Sequence, residues 1–214
     1  MVDRKKPIAR LYAFALVLTI LIFLIGVLLG GSIANLKLGK LAKLEREMKT
    51  KIMDLELQFL LAEENPCDSE LPQLAEELYQ IGGKLNYMEK QKGIDDPDVL
   101  ELKKYYSMLQ IRHWLFLRKV KKKCNKDLHL ILYFYSNEPK KCDRCADQGI
   151  ILTYLRKKYP NVRVYSFDVD LDCGAIKTLI KNFKIDLVPA VVVDGTLLSG
   201  FQEKDKLESM IQGS

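Results

Sequence analysis

Residues 11 to 36 carry no charged side chain, and within them the run LYAFALVLTILIFLIGVLLG is apolar on every side. A soluble helix of that length keeps a polar face for water, and this one has none. About 20 apolar residues are enough to carry a helix across the hydrocarbon core of a bilayer. The N-terminal part is thus restricted to a membrane-spanning helix over residues 11–34 or to a cleaved signal peptide. Ser32-Ile33-Ala34 supplies small residues at a cleavage point. Signal-peptide cores, however, run to only ~7–15 apolar residues, which favours an uncleaved, single-pass signal-anchor. Arg4, Lys5, Lys6 and Arg10 precede the run and Lys37, Lys40, Lys43 and Arg46 follow it, so the positive-inside count is almost level. The short tail with Arg10 against the span favours residues 1–10 in the cytoplasm and the rest of the chain outside it, at the cell membrane.

The net charge of +6 comes from that tail and from the middle of the chain, where RKVKKKCNK contributes most of the excess. Such a run can bind nucleic acid or acidic lipid. It also suits a solvated helix end, where cations complement the C-terminal dipole. No aromatic residues interleave with the cations, so nucleic acid is not expected as a partner.

Beyond the apolar run, three stretches space their apolar residues as helices do. The first reads Leu41, Leu44, Met48, Ile52, Leu55, Phe59; the second Leu71, Leu74, Leu78, Ile81, Leu85, Met88; the third Val99, Leu102, Tyr106, Leu109, His113, Phe116, Val120. Each places one apolar stripe on a helix face that needs a partner. Asn65-Pro66 ends the first, Asp68-Ser69 can cap the second, Lys92-Gly93 ends it, and Asp96-Pro97 starts the third. Short connections imply antiparallel neighbours. Residues 35–126 are therefore expected to form a helical bundle or stalk, or a parallel coiled-coil homodimer of anchored chains. His113, on an apolar stripe, is expected to be a packed core histidine, and Trp114 a core or docking residue.

From residue 127 the pattern changes. LHLILYFYS reads as a buried strand bounded by Asn137-Glu138-Pro139, ADQGIILTYLRKKY as a helix, VRVYSFDVD as a strand and GAIKTLIKNFKI as a helix. PAVVVDGTLLSGF reads as a strand pair about the hairpin turn Asp194-Gly195, and EKDKLESMIQ as a last helix. The order β-α-β-α-β-β-α over residues 127–214 describes a small α/β domain with one parallel pair and one antiparallel hairpin.

Between its first strand and first helix lies KKCDRCADQG. A cysteine at a helix N-terminus has its thiolate stabilised by free amide groups and the dipole. A second cysteine one turn on can attack a mixed disulfide and release the product. Cys142 is the expected attacking thiol and Cys145 the resolving one. Lys140, Lys141 and Arg144 favour the Cys142 thiolate, while Asp143 and Asp147 oppose it. A structural zinc site wants two close ligand pairs; only one exists, and His113 and His129 have no matching spacing, so no metal is expected.

At these residues the chain resembles the thioredoxin superfamily, over roughly 128–212. The resemblance rests on the strand running into CDRC, on the element order, and on Val188-Pro189 before AVVVDG. It implies a thioredoxin-like domain in which Pro189 is cis and lies beside the CxxC, aligning an incoming disulfide substrate, with Val188 supplying adjacent backbone. Lys141 and Asp143-Arg144 stand where thioredoxin itself has tryptophan and Gly-Pro, and Tyr133 where it buries an aspartate. These departures leave oxidase, isomerase or dedicated reductant open.

Cys67 begins the second helical stretch and Cys124 ends the third, so antiparallel packing would bring them together as a structural disulfide suited to an oxidising compartment. Cys67–Cys173 is the competing pair. The whole chain reads as a membrane-anchored thiol–disulfide oxidoreductase, acting on cysteines of exported or membrane proteins or on a membrane redox partner. It needs no cofactor beyond the redox-active Cys142–Cys145 disulfide. The alternative is a helical interaction or assembly module carrying a thioredoxin-like scaffold or redox switch.

Overall fold

The apolar run and the stripe behind it belong to one helix, α1 (Lys5–Glu64), which stops before Pro66. The computed structural model describes the backbone of residues 5–67, 71–138 and 140–213, and the side chains of 11–28, 39–67, 75–138 and 140–213. The Asp68-Ser69 cap and the stripe positions Leu71 and Leu74 lie outside these described side chains. The chain divides into two compact units, Met1–Glu47 and Met48–Ser214. In the first, Leu11–Leu28 is, among the described residues, the one segment long and apolar enough to cross a membrane, and none of it is buried.

In the second unit, α1 is followed by α2 (Leu71–Lys92) and α3 (Pro97–Cys124). Gly93, with φ 104°, ends α2 by sending its N–H to Glu89 O at 2.9 Å. Asp96 caps α3: its carboxylate accepts from the N–H groups of Asp98 and Val99, and Pro97 takes the first turn, where no donor is lost. The stripes Met48–Ile52–Leu55–Phe59, Leu78–Ile81–Leu85–Met88 and Val99–Leu102–Leu109–Phe116–Val120 are all buried. Burying a side chain such as Leu55 or Phe59 contributes about 1.5–3 kcal/mol. Charged rungs join α1 to α3 at Lys49–Glu101, Glu56–Arg112 and Glu63–Lys119. They advance in the same direction along both helices, so α1 and α3 run parallel, and Lys51–Glu77 at 2.7 Å ties α1 to α2.

The remainder is built from β1 (His129–Tyr135), α4 (Cys145–Lys158), β2 (Val162–Asp168), α5 (Gly174–Phe183), β3 (Ala190–Val193), β4 (Thr196–Ser199) and α6 (Lys204–Gln212). The sheet order is β2-β1-β3-β4, with β1 parallel to β2 and antiparallel to β3. Alternation along β1 sends Ile131 and Tyr133 to one face, where they join Val191, Val193, Leu152, Leu155, Leu207 and Ile211 in a core under α4 and α6. Leu132 and Phe134 point to the other face, and Phe134 meets Phe167 there. Asp194 and Gly195 turn β3 into β4 with positive φ at both positions, as a tight hairpin requires. The Asp194 carboxylate also accepts from Leu130 N–H at 3.0 Å and meets His129 Nδ1 at 2.9 Å. These contacts, with Lys121, hold it below the usual carboxylate range although burial alone would raise it.

Helix α3 closes the outer edge of β2. The Gln110 side chain accepts from Ser166 N–H at 2.9 Å and donates to Ser166 O at 3.3 Å. A neighbouring strand would offer the same pair of bonds, so one amide side chain satisfies a backbone edge that is otherwise open to pairing. Beside it, His113 is buried, stacks on Phe59 at 5.0 Å and meets the Tyr165 hydroxyl at 3.1 Å. Burial and the charge of Arg163 push its pKa down to about 3, so it is neutral.

Candidate active site

Strand β1 delivers the chain to the C-terminal edge of the sheet at Tyr135, and α4 leaves from there at Cys145. The intervening loop is fixed from the β2 side. The Ser136 hydroxyl donates to Asp170, and Glu138 N–H donates to Ser136 Oγ at 3.0 Å. Cys142 and Cys145 are joined as a disulfide with Cα atoms 5.5 Å apart. Cys145 opens α4 and is buried, whereas Cys142 lies in the turn leading into the helix and is partly exposed. Cys142 is thus the more accessible sulfur of the pair. The Tyr133 hydroxyl donates to Cys145 O at 2.5 Å, which anchors the first turn of α4 to the sheet. Burial holds that phenol well above the usual tyrosine range.

The cations around the pair are shared with carboxylates. Lys141 Nζ lies 2.8 Å from both Asp170 and Glu138, contacts that raise its pKa, Asp170 foremost. Arg144 Nε lies 3.3 Å from Asp147, and its guanidinium sits 3.5 Å from the centre of the Phe201 ring. The Val188–Pro189 peptide bond is cis and immediately precedes β3, the strand beside β1. Gln148, fully buried on α4, accepts from Gln202 N–H at 2.7 Å and so ties α4 to the segment after β4.

A cleft of about 640 Å³ opens on the other flank of the disulfide. Its walls are α2 and α3 on one side and β1, β2 and α4 on the other, and both Cys142 and Cys145 line it. At its floor Lys103, buried, meets Asp168 at 2.7 Å and Glu89 at 2.9 Å, and Asn137 donates to the same Asp168 oxygen. Burial alone would lower the Lys103 pKa, but the Asp168 and Glu89 carboxylates outweigh it and hold the ammonium above the ordinary lysine range. Burial pushes Tyr135 up to about 12, so it stays a neutral phenol.

Sequence patterning did not single out Lys103, Asp168 or Gln110. Lys103, Ser107, Gln110, Trp114 and Leu117 recur at helical spacing and are all buried, forming a second inward face of α3 that only the two apolar members mark in the sequence. Cys67 and Cys124 are joined, with Cα atoms 5.5 Å apart, while Cys173 is free and buried ahead of α5. Among the described residues, no cluster of His, Cys, Asp and Glu could hold a metal ion.

A parallel β-α-β unit, an antiparallel hairpin, a CxxC disulfide at the start of α4 and a cis-proline ahead of β3 define a thioredoxin-like fold. Among solved structures, the chain is similar to thioredoxin O2 from Arabidopsis thaliana in its oxidised state, at 21% identity over 46% of this chain and 85% of that one (TM-score 0.34). It is similar to mitochondrial thioredoxin 3 from Saccharomyces cerevisiae in its oxidised form, at 24% identity over 46% and 90% (TM-score 0.33). Fasciola hepatica thioredoxin matches at 21% identity over 46% and 91% (TM-score 0.34). No family model and no curated protein sequence matches the chain.

Proposed function

We propose that this chain is a membrane-anchored thiol–disulfide oxidoreductase acting on cysteines of exported or membrane proteins. The observation that carries the reading is the Cys142–Cys145 disulfide, with Cys142 partly exposed and Cys145 buried at the start of α4. In the reduced protein Cys142 attacks a substrate disulfide as a thiolate, which the N-terminus of α4 favours. Cys145 then attacks the mixed disulfide and releases the reduced product. In the oxidising direction the same two bonds form and break in reverse order. Pro189 and Val188 position the substrate strand, and Lys141 and Arg144 hold positive charge near Cys142 in competition with their carboxylates. Leu11–Leu28 serves as the span, with the rest of the chain outside the cytoplasm, where the Cys67–Cys124 disulfide is kept as a structural clamp.

Reduction of insulin and recovery of scrambled ribonuclease, run on the full chain in detergent with Cys142→Ser as control, test the reading. Exchange that depends on Cys142 supports it; none in the unmodified protein removes it.

A second reading, assembly through the helical layer, has one observation in its favour. Met53, Leu57, Leu60 and Leu61 form an exposed apolar row on α1. Slow exchange together with tight self-association, abolished by Leu57→Lys, would move the function there.

A further inference from the structure

The cleft flanking the disulfide deepens the oxidoreductase reading and rests on it. We propose that it seats a small zwitterionic thiol or its disulfide, the low-molecular-weight partner with which Cys142–Cys145 exchanges electrons.

The volume, about 640 Å³, lies within the ~300–1,000 Å³ typical of small-molecule sites. Both cysteines line the cleft, whereas Val188, Pro189 and Phe201 do not. On the proposed reading a protein substrate docks at Pro189, so a small molecule in the cleft would use a different surface of the protein. Thiol–disulfide exchange has two half-reactions with two partners, and the chain offers a separate place for each.

One of the two glycines in the middle of α2 points the same way. Each costs a helix about 1 kcal/mol relative to alanine. Packing demands the first: a Cβ on Gly82 would lie 2.5 Å from the Tyr106 hydroxyl. Nothing demands the second, since a Cβ on Gly83 meets no atom within 4 Å, and Gly83 lines the cleft. Its missing side chain leaves the cleft wall open.

The charges select the ligand. Two carboxylates, Glu89 and Asp168, share the single Lys103 ammonium, so negative charge is in excess at this end of the cleft. A ligand ammonium is favoured there. Arg156 also lines the cleft; its guanidinium lies 3.5 Å from the Tyr79 ring centre, and its Nε is buried with no hydrogen-bond partner. A ligand carboxylate is favoured there.

The step balances as ordinary exchange. The Cys142 thiolate attacks one sulfur of the small disulfide, forming a Cys142–ligand S–S bond and expelling one ligand thiolate, which takes a proton. The Cys145 thiolate then attacks Cys142, closing the protein disulfide and expelling the second ligand thiolate. Two electrons and two protons pass from the protein dithiol to the small disulfide, giving two small thiols. Two small thiols run the sequence backwards.

The test follows free thiols as the reduced full chain, in detergent, is oxidised by cystine or by the uncharged bis(2-hydroxyethyl) disulfide, with insulin reduction measured in parallel. Cystine should saturate the protein and react about tenfold faster at equal low concentration, the effect of one good charged contact. Glu89→Gln and Arg156→Gln should each shrink that preference severalfold, and Gly83→Leu should depress the cystine rate more than the insulin rate. Unsaturable rates that are equal for the two disulfides, or variants that slow cystine and insulin alike, overturn the proposal while leaving the parent reading intact. No exchange with cystine, the uncharged disulfide or insulin overturns both.

Discussion

Cys67–Cys124 and Cys142–Cys145 hold their Cα atoms at the same 5.5 Å, yet the first spans 57 positions of sequence and the second 3. The first closes a loop containing α2 and α3, so it removes a large share of the unfolded chain's freedom. The second closes a ring so small that the chain gains little stability from it. Their surroundings differ as well. Cys142 and Cys145 border a cleft with buried charges and sit where a helix begins, whereas Cys67 and Cys124 join the end of α3 to the approach to α2. On the proposed reading, one pair holds the helical layer together and the other reacts.

The largest effect expected from breaking this contrast is on exchange itself. Cys142→Ser should abolish turnover. Cys145→Ser, which leaves the attacking thiol without its resolver, should accumulate mixed disulfides with substrate proteins, seen as bands that collapse on reduction. Trapping by Cys142→Ser and none by Cys145→Ser would reverse the assigned roles. Neither substitution should shift the urea midpoint as far as loss of the other pair does.

Removing Cys67–Cys124 should act on stability. For a loop of 57 positions the chain-entropy estimate is about 4 kcal/mol. The Cys67→Ser/Cys124→Ser variant should unfold at markedly lower urea, and its Cys142-dependent exchange at low temperature should persist. If instead the variant keeps its midpoint and loses exchange, the division of labour between the pairs is wrong.

Much of this layout could be read from residues that act locally. Pro66, Gly93, Asp96-Pro97 and Asp194-Gly195 punctuate the chain through their own backbone preferences, and α1, α2, α3 and the β3–β4 hairpin begin or end beside them. The place of the CxxC, after a buried strand and at the start of a helix, was legible for the same reason. The second inward face of α3 was not. Lys103, Ser107 and Gln110 are polar, so an apolar stripe search passes over them, and their partners Asp168 and Ser166 lie 65 and 56 positions away. Their burial is decided by tertiary contact, as is the cleft that Lys103 floors.

Smaller effects should come from the contacts between α3 and β2, which share with Cys67–Cys124 the task of holding α3. His113 is the pH-sensitive one. Its pKa of about 3 lies below the ordinary 6.5, so the unfolded chain takes up a proton that the folded chain refuses. Its contribution is complete above pH 6.5 and is lost as pH falls toward 3. Between pH 7 and 5 this amounts to about 2 kcal/mol, at roughly 1.4 kcal/mol per unit below 6.5. Unfolding free energies of the native protein and His113→Phe, read from urea titrations, should converge by that amount over the interval. Parallel lines would assign the acid sensitivity to carboxylates.

Gln110→Ala should have the smallest effect, about 1 kcal/mol. It removes two hydrogen bonds to Ser166, but Ser166 is only half-buried and water can replace them. The clearer signature is local. Amide exchange at Ser166 should accelerate by at least an order of magnitude while that of Tyr133, its register partner inside the sheet, stays slow. Equal acceleration at both would mean that α3 contributes to global stability and does not act as a cover on the β2 edge. Combined with Cys67→Ser/Cys124→Ser, the local effect should grow, because a helix no longer clamped at its end leaves the strand edge more readily.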